Sequence, residues 1–423
     1  MNTRVLVTGL GAISPLGVGS EANFDAAAAA RSGVRRAPDA LVAGLADLLV
    51  APAAAQPHEL LQRRDAALDR ATQFALVAAG EAMADAGLHA DNADGKRFGV
   101  FVGIGSAGAT TIEQVYTRYH RALLGSERER RSATVVHPLL VPRMMANAAM
   151  AELSIRYRLR GIGNTCSVAC ASSALAAGEA LRAIRGGWLD AALVVGTEAM
   201  LTGGAMVAWN ALRVMARPVA ADPAASCRPF AADRSGFVIG EGAAALVLES
   251  AQRARRRGAA AHAELAGFGA SNDATHLTLP DTAGQVAAMR QALDDSGLLP
   301  RDIGYLNAHG TATEAGDVVE TRSIVEVFGD DAQRLAVSST KAVHGHLIGA
   351  SGALELLLAI LAMRHGVLPP TAHLEHPDPR CHLDYVPLQA RRGCRVDAVM
   401  SNAFAFGGSN AVLVARRAPE LAR

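Results

Sequence analysis

Short β-branched runs bounded by glycine alternate along the chain with longer stretches in which Ala and Leu recur at helical spacing. The first kind predicts strands over 5–9, 98–102, 191–195 and 243–248; the second predicts helices over 67–86, 173–184 and 286–293. Two further apolar runs, 303–306 and 335–338, read as strands that end at histidine-bearing loops. This alternation is the α/β pattern, in which helices cover the faces of a sheet.

The pattern also repeats. Residues 171–187 (ASSALAAGEALRAIRGG) set beneath 350–366 (ASGALELLLAILAMRHG) agree at 8 of 17 positions without a gap, at an offset of 179. Ala supplies four of the eight matches, as two Ala-rich helices would by composition alone. Both copies nevertheless follow an unusual segment, Cys166 to Cys170 in one and His344 to His346 in the other. A Gly-rich turn likewise leads into a similar closing strand at 242–249 and 408–416. The expectation is an ancestral duplication, with halves 1–258 and 259–423 joined near the basic helix end at Gln252 to Gly258. Equivalent helix starts would then meet about a pseudo-twofold axis, bringing Cys170 to His346.

Composition narrows the function. Over 423 residues, 41 basic against 40 acidic side chains leave a net charge of +1, which gives no global footprint for nucleic acid. Half the residues are hydrophobic and 19% charged, enough apolar surface to bury a core. Five cysteines, an odd and sparse set, argue against a secreted disulfide framework. The start of the chain shows no leader-like n-region or h-region, and the longest apolar stretch, 354–363, is too short to span a bilayer and carries Glu355. A soluble cytoplasmic protein is expected. Of the 41 basic residues only Lys96 and Lys341 are lysines, so a lysine that persists marks a position that requires one.

Four segments carry candidate chemistry. Cys170 precedes the Ala-rich helix, where peptide dipoles would lower its pKa and make a nucleophile; a small buried core cysteine is the plainer alternative. His309, and His344 with His346 beside Lys341, lie in two loops just past strand ends, where α/β sheets place their chemistry, although loop histidines are often only surface residues. His-x-His also invites a metal, but its loop supplies no acidic or thiol ligand to complete a set. The run from Ser401 to Asn410 holds a Gly pair that could expose backbone N–H groups to an oxyanion, or simply close a hairpin. A fifth segment, Gly103-Ile-Gly105-Ser-Ala-Gly108, matches the dinucleotide fingerprint but lacks the second strand and its terminal acid, so it reads as a turn where backbone approaches a helix or a ligand.

Taken together these segments resemble the β-ketoacyl-acyl-carrier-protein synthases of the thiolase superfamily, in particular the type II elongating enzymes and polyketide ketosynthases. The match runs from Val5-Leu-Val-Thr-Gly-Leu-Gly-Ala-Ile-Ser-Pro-Leu-Gly17 through Val168-Ala-Cys170-Ala-Ser172, Asn307-Ala-His309-Gly-Thr-Ala-Thr313 and Ser338-Ser-Thr-Lys341-Ala-Val-His-Gly-His346 to Asn402-Ala-Phe-Ala-Phe406-Gly-Gly-Ser-Asn410. The resemblance implies a thiolase-like fold, two βαβαβαββ halves in five alternating α/β layers. It implies decarboxylative Claisen condensation of a Cys170-bound acyl chain with a malonyl group, both delivered on the phosphopantetheine of an acyl-carrier protein, with no resident cofactor or metal. His309 and His346 would steady the enolate oxygen, and the backbone N–H groups of Cys170 and Phe406 the acyl oxyanion. Lys341 would pair with Glu320 and Glu355. Thr311 and Thr313 would bind the pantetheine arm, while Ser106, Phe404 and Phe406 would line the acyl pocket, Phe406 also as its gate. A homodimer is implied, or a heterodimer with a chain-length partner in a polyketide or polyene system.

Ser106 stands where a larger apolar residue is common in the family, so the pocket is expected to be deeper or more polar. Gly161-Ile162 replaces the usual Gly-Pro and Ser173 a frequent Gly. Carrier-docking candidates are few: Arg63, Arg64, Arg70 and Arg213. A degradative thiolase would need a second cysteine near the C-terminal Gly-rich loop, and 403–410 has none. A non-catalytic chain-length partner would lack the nucleophile that is present here. A cysteine hydrolase, which would need a group to orient its histidine, is a third class.

Overall fold

The computed structural model describes residues 3–418 apart from 40, 42–44 and 46. Met1, Asn2 and residues 419–423, the outer ends of the two expected halves, lie outside the described residues. Ten strands set the architecture: β1 (Val5–Ser14), β2 (Phe98–Gly103), β3 (Gly163–Cys166), β4 (Ala191–Glu198), β5 (Gly242–Ser250), β6 (Ala263–Asn272), β7 (Tyr305–Asn307), β8 (Ala336–Ser338), β9 (Ala398–Phe404) and β10 (Ser409–Arg416). They pair in the order β3-β2-β4-β5-β1-β6-β10-β9-β7-β8. The second half mirrors the first strand for strand. The two sets meet where β1 and β6 pair antiparallel, Val5 opposite Leu265.

Helices pack in three layers around these strands. On the outer face of the first set lie α1 (Arg70–Asp85) and α3 (Ala148–Tyr157), which share a core with Ile13, Val100 and Leu193; α2 (Ala109–Leu123), between them in the chain, buries no residue and packs on neighbouring short helices. Between the sets run α4 (Ser172–Arg185) and, later in the chain, α7 (Ser351–His365), in one core with Val7, Leu246, Val399 and Leu413. Outside the second set lie α5 (Thr282–Ser296) and α6 (Glu314–Phe328). The sandwich is five layers deep. Burial on all sides explains why α7 is apolar around its whole circumference. Ile348–His365 is apolar and long enough to cross a membrane by length and composition, yet 89% of that stretch is buried inside the fold.

The duplication shows in the close contacts as well. A Cβ on Gly9 or Gly11 of β1 would strike the Ala82 or Ala78 carbonyl of α1 at 2.1 Å, and one on Gly267 or Gly269 of β6 would strike Ala292 or Ala288 of α5 at 2.3 and 2.0 Å. Each half therefore seats its first helix on a pair of glycines. Where α4 and α7 cross, Ala353 N donates to Ser173 Oγ at 2.9 Å, and a Cβ on Gly352, the counterpart of Ser173, would lie 2.9 Å from the Ala174 Cβ. Ser173 at the usual Gly position is thus accommodated by Gly352 across the axis. In the turn at 103–108, a Cβ on Gly103 would strike the Ser173 backbone at 2.3 Å and one on Gly105 the Glu198 carboxylate at 2.5 Å, as expected for backbone approaching a helix.

Candidate active site

The candidate side chains converge at the carboxyl ends of the strands and the starts of the central helices. Cys170 sits in the single 3-10 turn Ala169–Ala171 that opens α4, and the counterpart turn Ile348–Ala350 opens α7. His309 follows β7 by two residues, and Lys341–His344 form a short helical turn after β8. His346 Nε2 lies 2.9 Å from Cys170 Sγ, the meeting that the repeat predicted. The His309 ring stands edge-on to that of His346, centroids 5.4 Å apart.

Burial controls the electrostatics. It pushes the Cys170 thiol up to about 12, against the lowering effects of the Lys341 ammonium and a hydrogen bond from the Phe406 backbone N–H. The expectation of a helix-lowered thiol is therefore corrected: desolvation of the thiolate in a closed pocket outweighs the dipole of one helix end. The Phe406 amide nonetheless points at the sulfur, as an oxyanion donor would. It comes from the β9–β10 hairpin, where Gly407 and Gly408 hold φ of 86° and 78°. The segment is a hairpin and presents its N–H as well. Burial, followed by the Lys341 charge, holds His309 and His346 well below the usual imidazole range, so both are neutral near pH 7.

Lys341 Nζ lies 2.5 Å from Glu355 Oε1, with both side chains wholly buried. Glu320 lies within the electrostatic reach of Lys341 but does not touch it. Its Oε1 accepts from His309 N at 2.8 Å and from Asn402 Nδ2 at 3.1 Å, and its Oε2 accepts from Gly310 N at 2.7 Å, so it holds the histidine loop in place. Cys170, His309 and His346 also form a group whose ligand atoms lie within 4.8 Å of one another. A direct Sγ–Nε2 contact of 2.9 Å is a hydrogen-bond distance, whereas two ligands of one tetrahedral zinc stand about 3.5 Å apart. The trio is arranged for proton and charge handling.

A cavity of about 520 Å³ runs from Cys170 past His309, Thr311, Thr313, Phe404 and Phe406 to Arg213 and Arg217, both exposed. The Thr311 and Thr313 hydroxyls are 3.1 Å apart on its wall. Ser106 is not in this cleft. It lines a separate cavity of about 810 Å³ with α2 residues and Met200, because Glu198 holds Gly105 and Ser106 by their backbone N–H groups. Of the docking candidates, Arg63 and Arg64 are exposed and Arg213 is on the cleft rim, but Arg70 is held by Glu241 at 2.6 Å.

Sequence reasoning missed several buried residues here. Glu198 also accepts from Gly349 N at 3.0 Å, tying the loop after β2 to the start of α7, and burial lifts it to about 7. Asp317 accepts from Phe230 N at 2.7 Å and is likewise lifted to about 7; its spacing of three from Glu320 on a helix could have revealed a pair of acids on one face. Ser351, 3.0 Å from His346 Nδ1, was visible only as one identity in the repeat.

Two family models span most of the chain: "Beta-ketoacyl synthase, N-terminal domain" matches residues 2–254 and "Beta-ketoacyl synthase, C-terminal domain" matches 262–375. The chain belongs to the β-ketoacyl synthase family. It is accordingly an acyltransferase of the condensing type. It is similar to Nodulation protein E of Rhizobium leguminosarum bv. trifolii, 41% identical over 430 residues that cover 99% of this chain and 100% of that protein. It is also similar to 3-oxoacyl-[acyl-carrier-protein] synthase 2 of Coxiella burnetii, 38% identical over 424 residues, 98% of each chain. Among solved structures, the ishigamide ketosynthase/chain length factor superposes with a TM-score of 0.89 at 33% identity, covering 99% of this chain and 100% of that one.

Proposed function

We propose that this β-ketoacyl synthase elongates an acyl chain held on Cys170 by decarboxylative condensation with malonyl-acyl-carrier protein. The observation that carries the reading is the 2.9 Å contact between Cys170 Sγ and His346 Nε2, with His309 alongside, at the base of a cleft lined by Thr311 and Thr313. Sγ attacks the thioester of an acyl-carrier protein; the carbon–sulfur bond to pantetheine breaks, and the thiol proton leaves with that sulfur. Loss of CO2 from the malonyl group then leaves an electron pair as an enolate, whose oxygen the Nε2–H groups of His309 and His346 stabilise. The carbanion attacks the acyl carbonyl, the N–H groups of Cys170 and Phe406 hold the oxyanion, and the Cys170 thiolate departs.

Lys341 tunes this site through charge: its ammonium lowers both histidines and partly offsets the burial of Cys170. Thr311 and Thr313 receive the pantetheine arm, and Arg213, Arg63 and Arg64 contact the acidic carrier. Phe404 and Phe406 line the acyl entrance. The chemistry draws on these side chains and the substrate's own carboxylate, so the enzyme works without a resident cofactor, in the cytoplasm. The seam between its halves is read at 258/259. Exposed Tyr116, Tyr119 and Leu123 on α2, and Leu124 just past its end, are covered by a second copy of the chain or by a chain-length partner.

Intact mass of the protein after incubation with acyl-carrier substrates of graded length tests the proposal. The wild type gains one acyl group, and Cys170→Ala gains none and forms no β-ketoacyl product while still decarboxylating malonyl-carrier protein. β-Ketoacyl product from Cys170→Ala would overturn the assignment.

A further inference from the structure

Ser172 and Ser351 occupy one position in the two copies of the turn-and-helix unit, 179 residues apart. Each is the first residue of its central helix, and each hydroxyl accepts an N–H from four residues earlier: Val168 N to Ser172 Oγ and Leu347 N to Ser351 Oγ, both 3.0 Å. The copies differ in where the hydroxyl proton goes. Ser172 Oγ donates back to the Ala169 carbonyl at 2.6 Å. Among the described residues Ser351 Oγ has no carbonyl partner, and its other neighbour is His346 Nδ1 at 3.0 Å.

Ser351 is 1% exposed. A buried hydroxyl whose proton finds no acceptor costs about 1–3 kcal/mol. Were His346 to carry its proton on Nδ1, Ser351 Oγ would accept twice and its own proton would be stranded. With Leu347 N–H already on the oxygen, the arrangement that satisfies every group has Ser351 donating to Nδ1. A neutral imidazole that accepts at Nδ1 carries its proton on Nε2, and Nε2 is the atom that faces Cys170.

We infer that Ser351 is a positioning residue, its hydroxyl holding His346 in the Nε2–H tautomer so that the ring offers a donor to the thioester oxygen at the decarboxylation and condensation steps. The inference rests on the condensing function proposed above and adds a residue outside its reacting atoms. His309 provides a contrast, since its Nδ1 has no partner among the described residues. Ser351 therefore acts on one histidine of the two. Ser172 closes the equivalent turn through the Val168 N–H and touches no histidine.

The test compares Ser351→Ala, Ser351→Thr and Ser172→Ala in the full chain by acyl-enzyme formation, kcat and KM for condensation, and NMR of 15N-histidine-labelled protein. Ser351→Ala is expected to lower kcat about three- to tenfold, the worth of one hydrogen bond, with KM for the malonyl carrier unchanged within about twofold. Its His346 signals become those of mixed tautomers, and Ser351→Thr, which keeps the hydroxyl, restores both kcat and tautomer. Ser172→Ala loses thermal stability but keeps the wild-type His346 signals. Wild-type kcat and tautomer in Ser351→Ala, or no rescue by Thr, would overturn the assignment. A wild-type chain that forms no acyl-enzyme and no condensation product would overturn the proposed function instead, and the NMR would still report whether Ser351 holds His346.

Discussion

Ala169 and Ile348, 179 residues apart, both hold left-handed backbone, φ 48° and 43°, at the same step of the turn that opens each central helix. Such conformations cost about 1–3 kcal/mol outside glycine and gather where the surroundings over-determine them, as they do beside Cys170. Ile348 also packs its side chain in the apolar group around Cys170, so its strain is offset by burial. Ala169 has only a methyl to lose. Ala169→Gly is expected to raise stability to unfolding by about 1 kcal/mol, and Ile348→Gly to lower it. Thermal melts of the two variants check the pair.

Lys341 and Glu355 pair with both side chains 0% exposed. Removing one partner strands the other, so Lys341→Met or Glu355→Gln alone should cost about 3–5 kcal/mol. The double variant Lys341→Met/Glu355→Leu should recover much of that loss but not the condensing rate. With the ammonium gone, the histidines it lowers rise toward the ordinary imidazole value of 6.5, and the acid limb of the kcat profile moves to higher pH. Denaturation curves and pH–rate profiles of the three variants separate the two effects.

Much of this site could be read before folding, because its parts are carried by local signals. Strand runs ending at His309 and Lys341, and a repeat that sets Cys170 opposite His346, needed only periodicity and an offset. What stayed hidden depends on distance in the chain. Arg70 is held by Glu241, 171 positions away, so its free charge was overestimated. The Cys170 thiol was expected low because its helix is visible in sequence, while the burial that raises it belongs to the packed layers. The resemblance gave Glu320 as a partner of Lys341, but the backbone N–H groups it serves directly have no sequence signature. The helix boundaries moved for similar reasons: α5 was expected over 286–293 and runs Thr282–Ser296, because Asp281 caps it through the Ala283 N–H.

Glu198 gives the fold a pH dependence whose sign can be stated. Burial lifts its folded pKa from 4.5 to about 7 against three backbone N–H donors. The folded state therefore binds the proton more tightly than the unfolded chain, and the stability that this contributes is complete below about 4.5 and lost as pH rises through about 7. Relative to Glu198→Gln, which does not titrate, the wild type should lose roughly 3 kcal/mol of stability between pH 4.5 and pH 8. Thermal melts of both proteins across that window measure the difference directly; parallel curves would remove Glu198 from the account.

The raised thiol of Cys170 predicts its reactivity in the absence of substrate. At about 12 the thiolate fraction near neutrality is minute, so the rate of alkylation by iodoacetamide should climb about tenfold per pH unit from 7 to 9 with no plateau. A helix-lowered thiol would level off in the same range. Lys341→Met, which removes the charge that partly offsets burial, should slow alkylation further at every pH. Peptide mass mapping of the modified cysteine confirms that Cys170 is the site followed, since Cys166 is raised to about 11 and would otherwise contribute.

Ser106 bears on chain length only if an acyl chain can reach it. Between Cys170 and the cavity that holds Ser106 stands Met200, which lines that cavity and packs against the apolar group of Cys170, Met206 and Ile348. Methionine side chains re-pack readily, so a long chain can displace Met200 and join the two spaces while a short one stays among the apolar side chains at Cys170. Ser106→Ile should then leave short acyl substrates unaffected and lower kcat/KM for long ones by about tenfold, the usual worth of a few methylenes refused by a pocket. Competition between short and long acyl-carrier substrates reads this ratio directly. An equal loss at every length would mean that the substitution disturbs the turn held by Glu198 and that the acyl chain takes another path.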